Sequence, residues 1–264
     1  MITSLTNPQV KHVKRLHSQK GRQQAQRFIV AGLRLVEEAL RAGSIPALMF
    51  YTPRLDESDR GQALLALARA QAVQPTTVSE KVMRAMATTA TPQSVLAVLS
   101  QPATSWPQHP SLLLILDRLR DPGNLGSALR TAEAAGVDGV LTTPGTVDVY
   151  NPKTVRGGMG AHFWLKPRAA SWPEVERAVA GLEVWLAEPR GGRPYYEVDW
   201  SPASALIIGG EAEGASAEAQ RLISGQVYIP MSGQAESLNA AVAAGVILFE
   251  AARQRALAQK PLLC

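Results

Sequence analysis

The chain has 264 residues, of which 46% are hydrophobic and 19% charged, and a net charge of +5, so it can bury a substantial core as one large domain or two ordinary ones. Its single cysteine, Cys264, excludes an intrachain disulfide framework, and its four scattered histidines lack the spacing of a metal site. No apolar run approaches the roughly 20 residues of a membrane span and no signal peptide opens the chain, so a cytoplasmic protein is expected.

The first predicted element is a basic helix over residues 8–26, because Asn7 and Pro8 suit its cap and first turn. Residues 1–30 contain no acidic residue. Cations without a counter-charge repel one another unless a polyanion is present, so this segment is expected to contact phosphates. A solvated helix face is the alternative interpretation. The cations are Lys11, Lys14, Arg15, Lys20, Arg22 and Arg27.

An alternation of strands and helices follows, which predicts a small α/β unit. Strands are expected at 28–30, 47–51 and 94–100, and helices at 32–42, 59–72 and 80–87. The stretch 102–110 contains prolines and lacks apolar periodicity. It is therefore predicted to be a linker between a first domain, residues 1–101, and a second domain, residues 111–264.

The second domain has apolar runs without alternation, a pattern typical of parallel strands that helices cover on both faces. These runs are 112–116, 139–142, 184–187, 205–208 and 227–229. Helices are predicted between and after them, near 124–135, 153–159, 172–180, 216–223 and 237–258. Ser237 is expected to cap the last helix, whose alanines allow close packing. The predicted fold is thus α/β, with a parallel sheet after a smaller α/β domain.

Polar residues and glycines lie at or beyond the ends of several predicted strands, and the carboxyl ends of parallel strands commonly form a ligand crevice. They are Asn124, Gly209, Gly210, Glu211, Ser237 and Asn239. Arg130 lies in a mostly apolar helix, where a charge is expected to need a partner. Each residue also has an ordinary structural interpretation as a helix cap, a tight turn or a solvated side chain.

Three segments, in this order, resemble the three motifs of the SpoU (TrmH-like) RNA 2′-O-ribose methyltransferases of the SPOUT superfamily. The segments are 116–136, which contains Asp121-Pro-Gly-Asn-Leu-Gly126, then 207–216 and 229–250. The first domain, with Arg27-Phe-Ile-Val-Ala-Gly32, resembles the ribosomal-protein-like RNA-binding domain of many members. Ala31 departs from that pattern, because relatives often carry Glu there.

The resemblance implies roles for particular residues. Arg130 would activate the ribose 2′-hydroxyl with help from the target phosphate, because a guanidinium stays protonated. The implied catalytic set is Asn124, Arg130, Glu211, Ser237 and Asn239. The implied contacts to the cofactor S-adenosylmethionine are Gly209, Gly210, Ile229, Met231 and Leu238. The implied RNA contacts are Lys11, Lys14, Arg15, Lys20, Arg22 and, at the target phosphate, Arg156.

The resemblance further implies a trefoil knot, which sequence patterns cannot reveal, and a homodimer. The cysteine and histidine spacing predicts no metal. The expected reaction is methyl transfer from S-adenosylmethionine to RNA, with ribosomal RNA favoured by the ribosomal-protein-like domain. The alternatives are a tRNA 2′-O-methyltransferase and a non-catalytic RNA-binding protein on the same fold. A non-catalytic relative would have no chemical reason to keep all five residues of the implied catalytic set.

Overall fold

The computed structural model describes residues 1–89, 91–102, 106–211 and 214–258. The chain divides into two compact units. The first is Met1–Ala103 with Tyr150–Phe163, and the second is Thr104–Val149 with Trp164–Cys264. Part of the predicted linker, residues 103–105, and Cys264 lie outside the described residues. The segment 150–163 of the first unit comes from within the predicted second domain.

The first unit is built on a four-stranded sheet. Its strands are β1 (Arg27–Ala31), β2 (Leu48–Tyr51), β3 (Thr76–Thr77) and β4 (Val95–Ser100), in the spatial order β1-β4-β2-β3. Strand β4 is antiparallel to β1 and β2, whereas β3 is parallel to β2. The helices are α1 (Pro8–Arg15), α2 (Gln19–Ala25), α3 (Leu33–Arg41), α4 (Asp59–Ala70) and α5 (Glu80–Met86). The smaller α/β domain is therefore confirmed.

The single basic helix predicted at 8–26 is wrong, because the chain forms two helices, α1 and α2. The Ser18 hydroxyl accepts a hydrogen bond from the Gly21 N–H at 3.1 Å and so caps α2. The chain also approaches itself closely here, since a Cβ on Gly21 would lie 1.9 Å from the Arg15 carbonyl oxygen. A continuous helix does not allow that turn.

Arg22 has a structural role, which corrects the predicted RNA contact. Its side chain is buried, and its Nη1 donates to the carbonyl oxygens of Leu16 and His17 at 2.9 and 2.8 Å. These carbonyls lie at the end of α1, where a cation is favourable. A phosphate does not reach a guanidinium in this place. The remaining predicted contacts of the segment are exposed: Lys11, Lys14, Arg15 and Lys20.

The second unit contains a seven-stranded sheet in the order β7-β6-β5-β10-β8-β11-β9, and its pairs are parallel. The strands are β5 (Leu112–Leu116), β6 (Gly139–Thr142), β7 (Arg168–Ala169), β8 (Glu183–Ala187), β9 (Arg193–Pro194), β10 (Ser204–Ile208) and β11 (Gly225–Tyr228). Every residue of the neighbouring strands β5 and β10 is buried. The predicted parallel sheet is confirmed.

The helices after β5 are α6 (Pro122–Ala134), α7 (Pro152–Gly158), α8 (Ala161–Leu165), α9 (Trp172–Ala178), α10 (Ala217–Leu222) and α11 (Ala240–Ala258). Of these, α6, α9, α10 and α11 lie in the second unit, whereas α7 lies in the first. Helix α11 packs against α6, where Gly245 allows close approach to Thr131. No helix within the described ranges combines the length and apolar character that a bilayer crossing needs.

The last helix begins at Ala240, so the predicted start and cap at Ser237 are wrong. Asn239 Oδ1 accepts hydrogen bonds from the N–H groups of Ala241 and Val242 at 2.9 and 3.4 Å. Asn239 is therefore the residue that caps α11. Ser237 is exposed in the loop before it.

We expect Asn239→Ala to lower the free energy of unfolding by about 0.5–2 kcal/mol, because the first turn of α11 loses its acceptor. Ser237→Ala is the matched control and should change it by less than about 0.5 kcal/mol, since exposed side chains outside such contacts contribute little. Urea unfolding of both variants measures the difference. A larger loss for Ser237→Ala would contradict the observed cap.

Candidate active site

A cavity of about 430 Å³ opens in the second unit at the carboxyl ends of β8, β10 and β11. The last residues of these strands, Ala187, Ile208 and Tyr228, line it. The three strands are neighbours in the parallel sheet, so their ends form one crevice. Its volume lies within the range of about 300–1,000 Å³ that is usual for ligand pockets.

Most of the predicted catalytic and cofactor-binding residues line this cavity. Its lining includes all five predicted cofactor contacts, Gly209, Gly210, Ile229, Met231 and Leu238. It also includes three residues of the predicted catalytic set, Glu211, Ser237 and Asn239. Buried Ile247 of α11 adds to the apolar part of the wall. Segments far apart in the chain thus converge at one cavity.

Asn124, Glu211 and Asn239 form a continuous hydrogen-bonded chain. Asn124 Nδ2 donates to Glu211 Oε1 at 2.7 Å, and Asn239 Nδ2 donates to Asn124 Oδ1 at 2.9 Å. The Asn124 backbone is held in turn, because its N–H donates to Asp121 Oδ1 at 2.8 Å. Each amide thus orients its neighbour, and the remaining acceptor capacity of the Glu211 carboxylate is available to a ligand.

Backbone forms the wall of the cavity after β10. A Cβ on Gly210 would lie 2.6 Å from the Arg118 carbonyl oxygen, and one on Gly209 would lie 2.7 Å from the Ala215 nitrogen. Gly210 and Gly214 exchange two backbone hydrogen bonds of 3.2 and 3.1 Å, which fold the loop back on itself. The two glycines therefore allow this part of the wall to pack closely against the neighbouring backbone of Arg118 and Ala215.

Comparison with known families matches both parts of the chain. Residues 111–249 match the model of the SpoU rRNA Methylase family, and residues 7–97 match the model of the MRM3-like substrate binding domain. The chain belongs to the SpoU rRNA methylase family. The family resemblance predicted from the three motifs is confirmed.

Similar members of the SpoU family align over nearly the whole chain. The 23S rRNA (guanosine(2553)-2′-O)-methyltransferase RlmP of Bacillus subtilis is 36% identical over 94% of this chain and 97% of its own. An uncharacterized tRNA/rRNA methyltransferase of Synechocystis is 37% identical over 98% of this chain and 96% of its own. The crystal structure of an AdoMet-bound rRNA methyltransferase from Sinorhizobium meliloti has a TM-score of 0.83 at 33% identity, covering 96% of this chain and 97% of its own.

The buried carboxylate of Asp117 fixes backbone segments next to the candidate site of this SpoU member. It is fully buried and accepts hydrogen bonds from Thr143 Oγ1 at 2.6 Å and from the Ser216 N–H at 2.7 Å. Asp117 follows β5 directly, and Ser216 caps α10. One side chain thereby joins the ends of β5 and β6 to the start of α10, and holds the loop after β10 in place.

Glu188 lines the cavity but is not among the predicted site residues. Burial raises the pKa of its carboxyl above the ordinary value. It follows β8 directly, so it carries the same signal as Glu211, a carboxylate at the carboxyl end of an apolar strand. It lies outside the three SpoU motifs, which is why the resemblance does not point to it.

Two predicted arginines lie away from the cavity lining. Arg130 is exposed on α6, and the described residues that line the cavity do not include it. Ala128, Leu129 and Ala132 are buried in α6 as expected, but Arg130 itself is exposed, so its charge does not demand a partner within the protein. Arg156 is exposed in the last turn of α7, within the first unit. The roles of both arginines stay predictions.

Proposed function

We propose that this protein transfers a methyl group from S-adenosylmethionine to a ribose 2′-hydroxyl of ribosomal RNA. The observation that carries the proposal is the cavity at the ends of β8, β10 and β11, with the Asn124–Glu211–Asn239 chain beside it, in a member of the SpoU family. Ribosomal RNA is preferred because the Bacillus subtilis relative bears that substrate in its name and the first unit matches a substrate-binding domain.

The residues that line the cavity suit the proposed cofactor in apolar character and in charge. Ile229, Met231 and Leu238 would provide an apolar surface for an adenine ring, while the backbone at Gly209, which lines the cavity beside them, would offer polar groups to its edge. The carboxylates of Glu188 and Glu211 suit a cationic ligand. S-adenosylmethionine, when bound, supplies an electrophilic methyl group on a positively charged sulfonium.

The chain's own residues would prepare the ribose for attack. We assign Ser237 and Asn239 to placing the target ribose and Asn124 to fixing the orientation of Glu211. A guanidinium does not act as a base in proteins, so the role assigned to Arg130 is to stabilise the negative charge that develops on the 2′-oxygen, while a phosphate oxygen of the RNA accepts the hydroxyl proton. Alignment of the hydroxyl with the methyl carbon supplies much of the rate.

A homodimer, a trefoil knot and a cytoplasmic location are part of the same proposal. Helix α11 supports the dimer, because large apolar side chains lie exposed along one side of it: Val242, Phe249 and Leu257, which are 52%, 52% and 55% exposed. A second copy of the chain would cover them. Light scattering of the purified protein measures the mass, and a monomer at micromolar concentration would contradict the dimer.

Calorimetry with S-adenosylmethionine, followed by transfer of labelled methyl groups to total RNA, tests the proposed function. Saturable binding near one per subunit and label at a ribose of ribosomal RNA are expected. If the label appeared only on tRNA, the protein would be the alternative enzyme, a tRNA 2′-O-methyltransferase. A folded protein that neither binds the cofactor nor labels RNA would be the non-catalytic RNA-binding protein.

Charge neutralisation of α1 tests the assignment of RNA binding to the first unit. Replacing Lys11, Lys14 and Arg15 by glutamine should weaken RNA binding and lower the slope of log affinity against log salt by about 2, at about 0.7 per phosphate contact on single strands. Fluorescence anisotropy across a salt series measures that slope. The same slope in the parent and the variant would place RNA binding elsewhere.

A further inference from the structure

The first unit has a second cavity, also of about 430 Å³. It lies among β1, the start of α3, the loop before β4, and α7, and each residue that lines it belongs to the first unit. Its floor is apolar and buried, since Ile29, Leu35 and Val155 are 3%, 7% and 2% exposed. None of the motifs that define the methyl-transfer site contributes to it.

Three arginines surround this apolar floor: Arg34 on α3, Arg60 on α4 and Arg156 on α7. Arg60 is already paired, at 2.7 Å from Glu37, which also binds Arg41 at 2.6 Å. Among the described residues, Arg34 and Arg156 have no acidic partner. Neutral polar groups from Thr88, Thr89 and Gln93 complete the rim. The rim therefore favours an anion.

The start of α3 adds to this preference. The helix has nine residues, and Gly32, with φ of 102°, precedes it without a side chain that caps it. Gly32 and Leu33 both line the cavity. The first N–H groups of α3 therefore keep hydrogen-bonding capacity there, at the positive end of the helix.

We propose that this cavity binds one unstacked nucleotide from a single-stranded stretch of the RNA substrate. The base lies on the floor formed by Ile29, Leu35 and Val155, and its phosphates bind Arg34, Arg156 and the start of α3. The inference rests on the proposed function and adds to it the form of the RNA that the first unit recognises.

The chemistry of the cavity favours this ligand over other anions. An inorganic phosphate or a duplex backbone uses the cationic rim but has no need of an apolar floor. Single-stranded RNA splays its bases out of the stack, and proteins recognise such bases in pockets where guanidinium planes also stack on them. An apolar floor beneath a cationic rim suits a base that remains attached to its phosphates.

Charge removal in the full-length protein tests the rim. We expect Arg34→Ala and Arg156→Ala each to weaken binding of a short, labelled, mixed-sequence single-stranded RNA by about tenfold. Arg69→Ala is the matched control, because Arg69 is also exposed, lies on α4 and is outside the cavity. Anisotropy measures all three. Equal losses in the cavity variants and the control would overturn the proposal, as would equal losses for single-stranded and duplex RNA.

A substitution that fills the apolar floor without changing the charge tests whether a base binds there. Ala31 lies on the lining of the cavity at the end of β1. Ala31→Leu should weaken binding of the intact RNA several-fold and leave binding of an abasic RNA of the same length unchanged. Thermal unfolding confirms that the variant is folded. If it binds intact RNA as well as the parent does, the floor holds no base and the proposal is overturned.

Failure of this inference is distinguishable from failure of the proposed function. If the parent protein binds S-adenosylmethionine and methylates ribosomal RNA, but the cavity variants bind RNA normally, the nucleotide site is excluded and the enzymatic function is supported. If the parent binds single-stranded RNA through this cavity but neither binds the cofactor nor methylates RNA, the nucleotide site is supported and the enzymatic function is excluded.

Discussion

Replacing Gly210 with alanine is expected to weaken S-adenosylmethionine binding by about tenfold or more and to lower stability by about 1–3 kcal/mol. The added Cβ would lie 2.6 Å from the Arg118 carbonyl oxygen, so the backbone on one side of the cavity must move. The loop is held by its hydrogen bonds with Gly214 and cannot move without losing them. Calorimetry and urea unfolding measure the two effects.

Gly233→Ala is the control for Gly210→Ala. Gly233 lies in the exposed loop before α11, and a Cβ there would have no neighbour within 4 Å. The control should bind the cofactor as the parent protein does. Parent-like affinity and stability in Gly210→Ala would mean that the cavity wall is looser than its geometry indicates.

Arg130→Ala should lower the rate of methyl transfer by about 10²–10⁴-fold, the usual contribution of a positioned proton-transfer or charge-stabilising group. Binding of S-adenosylmethionine should be unchanged, because the described residues that line the cavity do not include Arg130. Single-turnover transfer of labelled methyl groups at saturating RNA separates the rate from binding.

Two further variants sharpen the test of Arg130. Glu133→Ala, which changes another exposed residue of α6, should leave the rate unchanged. Arg130→Lys keeps the charge but loses the planar fork of donors, so we expect an intermediate rate. Full turnover by Arg130→Ala would exclude the catalytic role.

The sequence predicts the sheet and much of the cavity because both depend on patterns that are local and strong. Strands such as β5 and β10 are apolar throughout, since helices cover both faces of a parallel sheet. The Asn124–Glu211–Asn239 chain joins residues from each of the three motifs, whose order along the chain makes the resemblance specific.

The features that the sequence does not predict lack such a pattern. Strands β3, β7 and β9 have two residues each, too few to show a period. Ser237 and Asn239 are equally good caps, and only the backbone path decides between them. Arg34, Arg60 and Arg156 come from separate segments that meet only in the folded first unit.

The discontinuous first unit has a consequence for how such proteins can be recombined. The ring of Tyr150 lies 4.8 Å from that of Phe28, and α7 packs against β1. Yet Tyr150 and α7 fall within the part of the chain that matches the SpoU family, residues 111–249. The limits of the SpoU family match along the sequence therefore differ from the limits of the compact unit in the structure. A gene fusion that exchanged residues 1–101 alone would bring in a β1 surface shaped for another partner, so this domain and the segment 150–163 must be exchanged, and must evolve, together.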